Sequence, residues 1–138
     1  MTSYENFDGY ARLLLDEASE RYLEGCIAVS EGLRKPAHPH IVLASPAKRE
    51  DWLDIEGQTY EAFIQGVAFG AEMQVLLVSL PPSIGRVCQG TPHIIWGLSE
   101  GTLPAESEAV LADRSSVTIA LDEPIEISVY GDFCYFNS

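Results

Sequence analysis

The sequence predicts an α+β fold, and three observations carry that expectation. Short β-branched or apolar runs recur through most of the chain, and only two windows have helical spacing. The tripeptide Pro-His-Ile occurs twice, at residues 39–41 and 92–94, each time heading an apolar run. Proline and glycine punctuate the runs at intervals suited to strands rather than long helices.

In chain order, Tyr10 to Asp16 reads as a strand or the front of a helix, since periodicity cannot separate the two over so short a run. From Asp16 to Ile27 the pattern is helical, with Ala18, Tyr22, Leu23 and Cys26 on one stripe and Asp16 or Ser19 as cap. Arg34 to Pro39 is a basic, proline-bounded connector into a first histidine strand at residues 39–45, which Pro46 is expected to end. Ala47 to Gly57 reads as a polar loop anchored by Trp52. Thr59–Phe69 and Glu72–Leu80 read as strands joined by a tight Gly70-Ala71 hairpin, the second central to a sheet. Pro81 to Gly85 breaks the pattern, and a second histidine strand follows at residues 92–98. Glu100-Gly101 turns the chain into a short helix over residues 104–111. Val117–Leu121 and Ile125–Phe136 are the last two strands.

With 138 residues, 46% of them hydrophobic, the chain is expected to form one domain over residues 1–138 with a proper core. No run approaches the length of a membrane span, and residues 1–5 carry no secretory pattern. The three cysteines are odd in number and scattered, as expected of reduced thiols in the cytoplasm. A net charge of −13 disfavours a long nucleic acid as ligand but leaves room for a small phosphate-bearing one. It also suits a basic protein partner.

On a strand, residues i and i+2 share a face. His40 and Val42 should therefore point one way, as should His93 and Ile95, with Ile41, Leu43, Ile94 and Trp96 on the opposite face. Side by side, the two strands would aim two imidazoles into one cleft. Such a pair can divide proton transfer at a phosphodiester: one takes a proton from the attacking hydroxyl, the other protonates the leaving oxygen. His38 and His40 make a His-x-His, but no acid or thiol sits at useful spacing, and neither a metal nor a cofactor is expected. Tyr60, Trp96, Tyr130 and Phe133 are aromatic candidates for stacking on a ligand, with Trp96 assigned to the core by its parity.

These residues resemble the 2H phosphoesterase (LigT-like) superfamily, particularly compact members related to the cyclic phosphodiesterase domain of fungal-type tRNA ligases. The resemblance runs over residues 9–134. His40-Ile41-Val42-Leu43 resembles the first motif of the family, His-x-Thr/Ser-x, and His93-Ile94-Ile95-Trp96 the second. Residues 65–70 and 75–81 resemble the paired strands between the motifs, and 101–107 the turn and helix after them. The resemblance implies a bilobal fold of two antiparallel sheets with pseudo-twofold symmetry, flanking helices, and His40 and His93 as a catalytic pair in a metal-free cleft. It implies activity on cyclic phosphates or cyclic or 2′–5′ nucleotides.

The chain departs from the family at Val42 and Ile95, which stand where the hydroxyls that hold the phosphate are expected. One lost hydrogen bond to a charged group costs roughly 1.5–3 kcal/mol, or about ten- to 150-fold in rate. Arg34, Lys35, Lys48 and Arg86 and the strand N–H groups are the candidate replacements. Ser45 is expected on the face opposite His40, and Ser99 beyond its strand. Three readings follow: a divergent phosphodiesterase, a protein that sequesters a nucleotide-like phosphate without cleaving it, or an acidic inhibitor of a basic partner.

Overall fold

A computed structural model describes residues 7–70, 72–102, 107, 111 and 117–136. The described residues form six strands: β1 (Gly9–Leu15), β2 (His40–Ala47), β3 (Thr59–Phe69), β4 (Met73–Ser79), β5 (His93–Leu98) and β6 (Val117–Tyr135). Among the described residues, α1 (Glu17–Cys26) and the single turn α2 (Pro82–Gly85) accompany them, with a 3-10 turn at Arg49–Trp52. The α+β expectation holds at this level. All strand pairs are antiparallel, in the order β2-β1-β6-β3-β4-β5.

The expected pair of sheets is instead one continuous sheet among the described residues, and β6 is the reason. Its C-terminal half pairs with β1 from Val129 to Tyr135, and most of its length pairs with β3. The two terminal strands anticipated at 117–121 and 125–136 are thus one strand. Opposite Ile64 and Gly66, β6 advances from Ile125 to Ala120, so residues 121–124 bulge out around Pro124.

The sheet curls until its end strands, β2 and β5, pack beside each other. Short segments close the gap between them. Gln89 N–H donates to Leu43 O at 2.7 Å, and Arg34 and Leu98 exchange both backbone hydrogen bonds. One face of the sheet carries the main core: Ala11, Leu13, Ile41, Leu43, Ala62, Ile64, Leu76, Ile94, Trp96 and Val129 among others. Trp96 is fully buried, and its indole N–H reaches Ile27 O at 3.0 Å, satisfying the one polar atom of the ring. Trp52 packs against the edge of this core, as its place in the 47–57 loop suggests.

Several local expectations change. The first histidine strand, β2, continues through Pro46 to Ala47, which a terminal strand of the sheet tolerates because no neighbour needs the missing N–H. Helix α1 is capped by Asp16, which accepts from Ser19 N–H at 2.7 Å, but only Leu23 is buried on it. Ala18, Tyr22 and Cys26 face solvent. Ser19 instead turns inward, accepting from Ser128 N–H, and Glu20 turns to Lys35. The β3–β4 hairpin forms with Gly70 N–H on Met73 O, although Ala71 lies outside the described residues. Of the helix expected over 104–111, only Ser107 and Leu111 are described, both helical. No helix among the described residues is long and apolar enough to cross a membrane.

Gly131 illustrates how closely the chain packs around β6. A Cβ there would fall 1.9 Å from the carbonyl oxygen of Ile55, so no larger residue fits without moving backbone.

Candidate functional site

A cleft of about 350 Å³ opens between β2 and β5. Its walls are Pro36, His38, Pro39, His40, Val42, Ser45, His93, Ile95, Leu98 and Ser107. Alternation along the two strands places the histidines there. Ile41, Leu43, Ile94 and Trp96 are fully buried on the core face, which turns His40, Val42, His93 and Ile95 to the cleft. The parity expected from sequence is the parity observed.

Both imidazoles are held in the same way. His40 Nδ1 lies 2.8 Å from His38 O, and His93 Nδ1 lies 2.7 Å from Thr91 O, in each case the carbonyl two residues upstream. A carbonyl can only accept, so Nδ1 carries the hydrogen in both rings. In the neutral ring Nε2 is then the basic nitrogen. The surroundings of the two rings differ. Burial, with the nearby Arg12 charge adding to it, pushes the His40 pKa below its usual value against the opposing pull of its His38 contact and Asp132. His93 Nε2 has a partner of its own, the Ser107 hydroxyl at 2.8 Å.

The phosphate donors anticipated from sequence are elsewhere. Arg34 is engaged through its backbone with Leu98, and its side chain faces solvent. Lys35 pairs with Glu20 and sits over the Trp96 ring. Arg86 reaches back to Pro82 O at 3.2 Å, and Lys48 faces a different groove. None of the four lines the cleft. Ser99 is directed away, to Glu72 and Thr102, as its position beyond the strand implies.

Ser45 corrects a parity expectation. Between Ala11 and Arg12 of β1, the partner on β2 moves from Ala44 to Val42, so β2 carries an extra residue. Leu43 and Ala44 are consequently both buried, the alternation slips by one, and Ser45 emerges on the cleft side with His40. Sequence reasoning also missed Ser107, which arrives from the segment after β5 and is 4% exposed. Two serine hydroxyls therefore stand in a cleft whose strand positions 42 and 95 are apolar.

Beside His40, a polar group on β1 and β6 was likewise missed. Tyr10 and Arg12 share the face of Val42, since Arg12 is the cross-strand partner of Val42. The Tyr10 and His40 rings lie 6.0 Å apart, tilted by 34°, and Arg12 Nε donates to Asp132 at 2.7 Å. Burial and the neighbouring Cys134 thiol hold the Tyr10 phenol above its ordinary value. The alternation Tyr10, Arg12, Leu14 against Ala11, Leu13, Leu15 was the available signal, but only the pairing with β2 shows which strand it adjoins. Of the aromatic candidates, Trp96 and Phe133 are core, while Tyr60 and Tyr130 do not line the cleft.

No protein-family model matches the chain, and the comparison with curated proteins gives no match. Among solved structures, the chain is similar to the crystal structure of a fungal RNA kinase, with a TM-score of 0.61 and 10% identity. The alignment covers 89% of this chain and 45% of that one, so the chain spans less than half the length of its structural neighbour. At that identity the likeness is one of fold.

Proposed function

We propose that residues 1–138 form a divergent phosphodiesterase unit of the 2H type, acting on a cyclic phosphate or a cyclic or short nucleotide. One observation carries the proposal: two histidines from the two end strands line one cleft, each with Nδ1 held by the carbonyl two residues before it. Such a pair can pass a proton in at one side of a phosphorus and out at the other. The resemblance of both motifs to the 2H pattern and the fold likeness to a fungal RNA kinase support the same reading. Ser45 offers a hydroxyl for the hydrogen bonding that Val42 and Ile95 cannot provide.

Hydrolysis of 2′,3′-cyclic nucleotides and cyclic dinucleotides, followed by chromatography of the products, tests this directly. The wild-type protein is expected to open at least one class, and His40→Ala and His93→Ala to abolish it. Turnover that both variants retain would overturn the proposal.

One observation favours a second reading, sequestration of the same ligand without cleavage. Val42, Ile95, Leu98, Pro36 and Pro39 make the cleft largely apolar, and no lysine or arginine among the described residues lines it. Recovery of intact ligand from a denatured complex would select this reading over the first.

A further inference from the structure

We propose that Ser107 is a nucleophile, activated by His93, and that phosphodiester cleavage in this cleft proceeds through a phosphoserine intermediate. The argument rests on which atom must hold each hydrogen. Thr91 O can only accept, so His93 Nδ1 donates to it across 2.7 Å. The neutral ring then has a bare Nε2, which can only accept, so the hydroxyl 2.8 Å away must donate. The Ser107 hydrogen therefore points at a base, and its oxygen lone pairs are left for another partner. Nucleophile, base and a group that orients the base form the arrangement that activates serine elsewhere, with a backbone carbonyl here in the third place. His40 is fixed in the same tautomer but has no hydroxyl on Nε2 among the described residues. The two histidines are thus equipped for different halves of one reaction.

Burial favours the assignment. Ser107 is 4% exposed, yet it belongs to the wall of the cleft, so a ligand bound there reaches it while bulk water is largely excluded. In the first step Ser107 Oγ attacks phosphorus as its proton passes to His93 Nε2. The bond from phosphorus to the leaving alcohol breaks, and that oxygen takes its proton from the fraction of His40 that is protonated, a minority at neutral pH because burial favours the neutral ring. In the second step water attacks the phosphoserine as His40 Nε2 removes one of its protons. The phosphorus–Oγ bond breaks, and the imidazolium of His93 returns the proton to Oγ. The sum is diester plus water giving alcohol and monoester, with both histidines restored.

The nucleophile rests on the phosphodiesterase reading only for its natural substrate, and a fluorophosphonate probe separates the two. The probe phosphonylates an activated serine with loss of fluoride, and intact-protein and peptide mass spectrometry locate the adduct. The expected result is one adduct, on Ser107, absent in Ser107→Ala. It should form at least ~100-fold more slowly in His93→Ala, the low end of what a general base contributes. His40→Ala should label at nearly the wild-type rate, because fluoride leaves without a proton. Circular dichroism establishes that each variant is folded. Labelling of Ser107 in a protein that opens no phosphodiester would support the nucleophile and overturn the phosphodiesterase assignment. The absence of an adduct, or phosphodiester turnover undiminished in Ser107→Ala, would overturn the nucleophile and leave that assignment standing.

Discussion

The β2 and β5 sides of the cleft start from the same local geometry and then diverge. Each offers a histidine at the head of a terminal strand, pinned through Nδ1 to the carbonyl two residues before it. On the β2 side the ring sits among Tyr10, Arg12 and Asp132, where burial and the arginine charge favour the neutral form. On the β5 side the ring meets a buried hydroxyl, that of Ser107. Identical anchoring with unlike neighbours is a way to give two chemically equal groups different tasks. The backbone supplies the symmetry, and residues distant in sequence remove it.

The largest effect should come from removing either ring. His40→Ala and His93→Ala are each expected to lower phosphodiester turnover by about 10²–10⁴-fold, the usual contribution of a general acid or base. Steady-state rates on the best substrate measure it. Loss from one substitution alone would show that the halves are not partners.

A second test addresses the stability that His40 contributes. Its folded pKa is lowered, so the unfolded chain binds the proton more readily. The contribution is full above the unfolded value of about 6.5 and is lost as pH falls from there through the folded pKa. Thermal unfolding should therefore show the wild type losing stability relative to His40→Gln between pH 7.5 and 5. A difference independent of pH would contradict the burial argument.

Arg12→Met sharpens the comparison further. It removes a cation near His40 and leaves Asp132 without its partner, and both changes favour the imidazolium. The His40 pKa should rise, followed by NMR of its ring protons, and the ring resonances of His93 at fixed pH should stay in place. A fall in the His40 pKa would sink the electrostatic account.

The smallest effect belongs to a site outside the cleft. Asp16→Ala removes the cap of α1 and should cost about 1 kcal/mol in urea unfolding, with no change in either histidine's ring resonances. Altered histidine signals would mean that α1 is coupled to the cleft.

Much of the site was legible because strand parity is a local property. Placing Ile41, Leu43, Ile94 and Trp96 in the core requires only period two, and that placement turns both histidines outward together. What escaped depends on pairing between strands. The extra residue in β2 that brings Ser45 round is set by register with β1, and no pattern within residues 40–47 encodes it. Tyr10 and Arg12 became neighbours of His40 for the same reason. The cations of the connector do not line the cleft, because charge says nothing of which partner is nearest, and Lys35 finds Glu20 on α1. The fold class followed from the runs themselves, whereas the joining of two anticipated strands into β6 depended on β3 spanning the bulge around Pro124.

Combining the two histidine substitutions tests the central claim most directly. If His40 and His93 serve one reaction in one cleft, turnover of a 2′,3′-cyclic nucleotide in His40→Ala/His93→Ala should be no lower than in the more damaged single variant, because either loss already disables the pair. Losses that multiply, each variant keeping its own independent share of the rate, would contradict it.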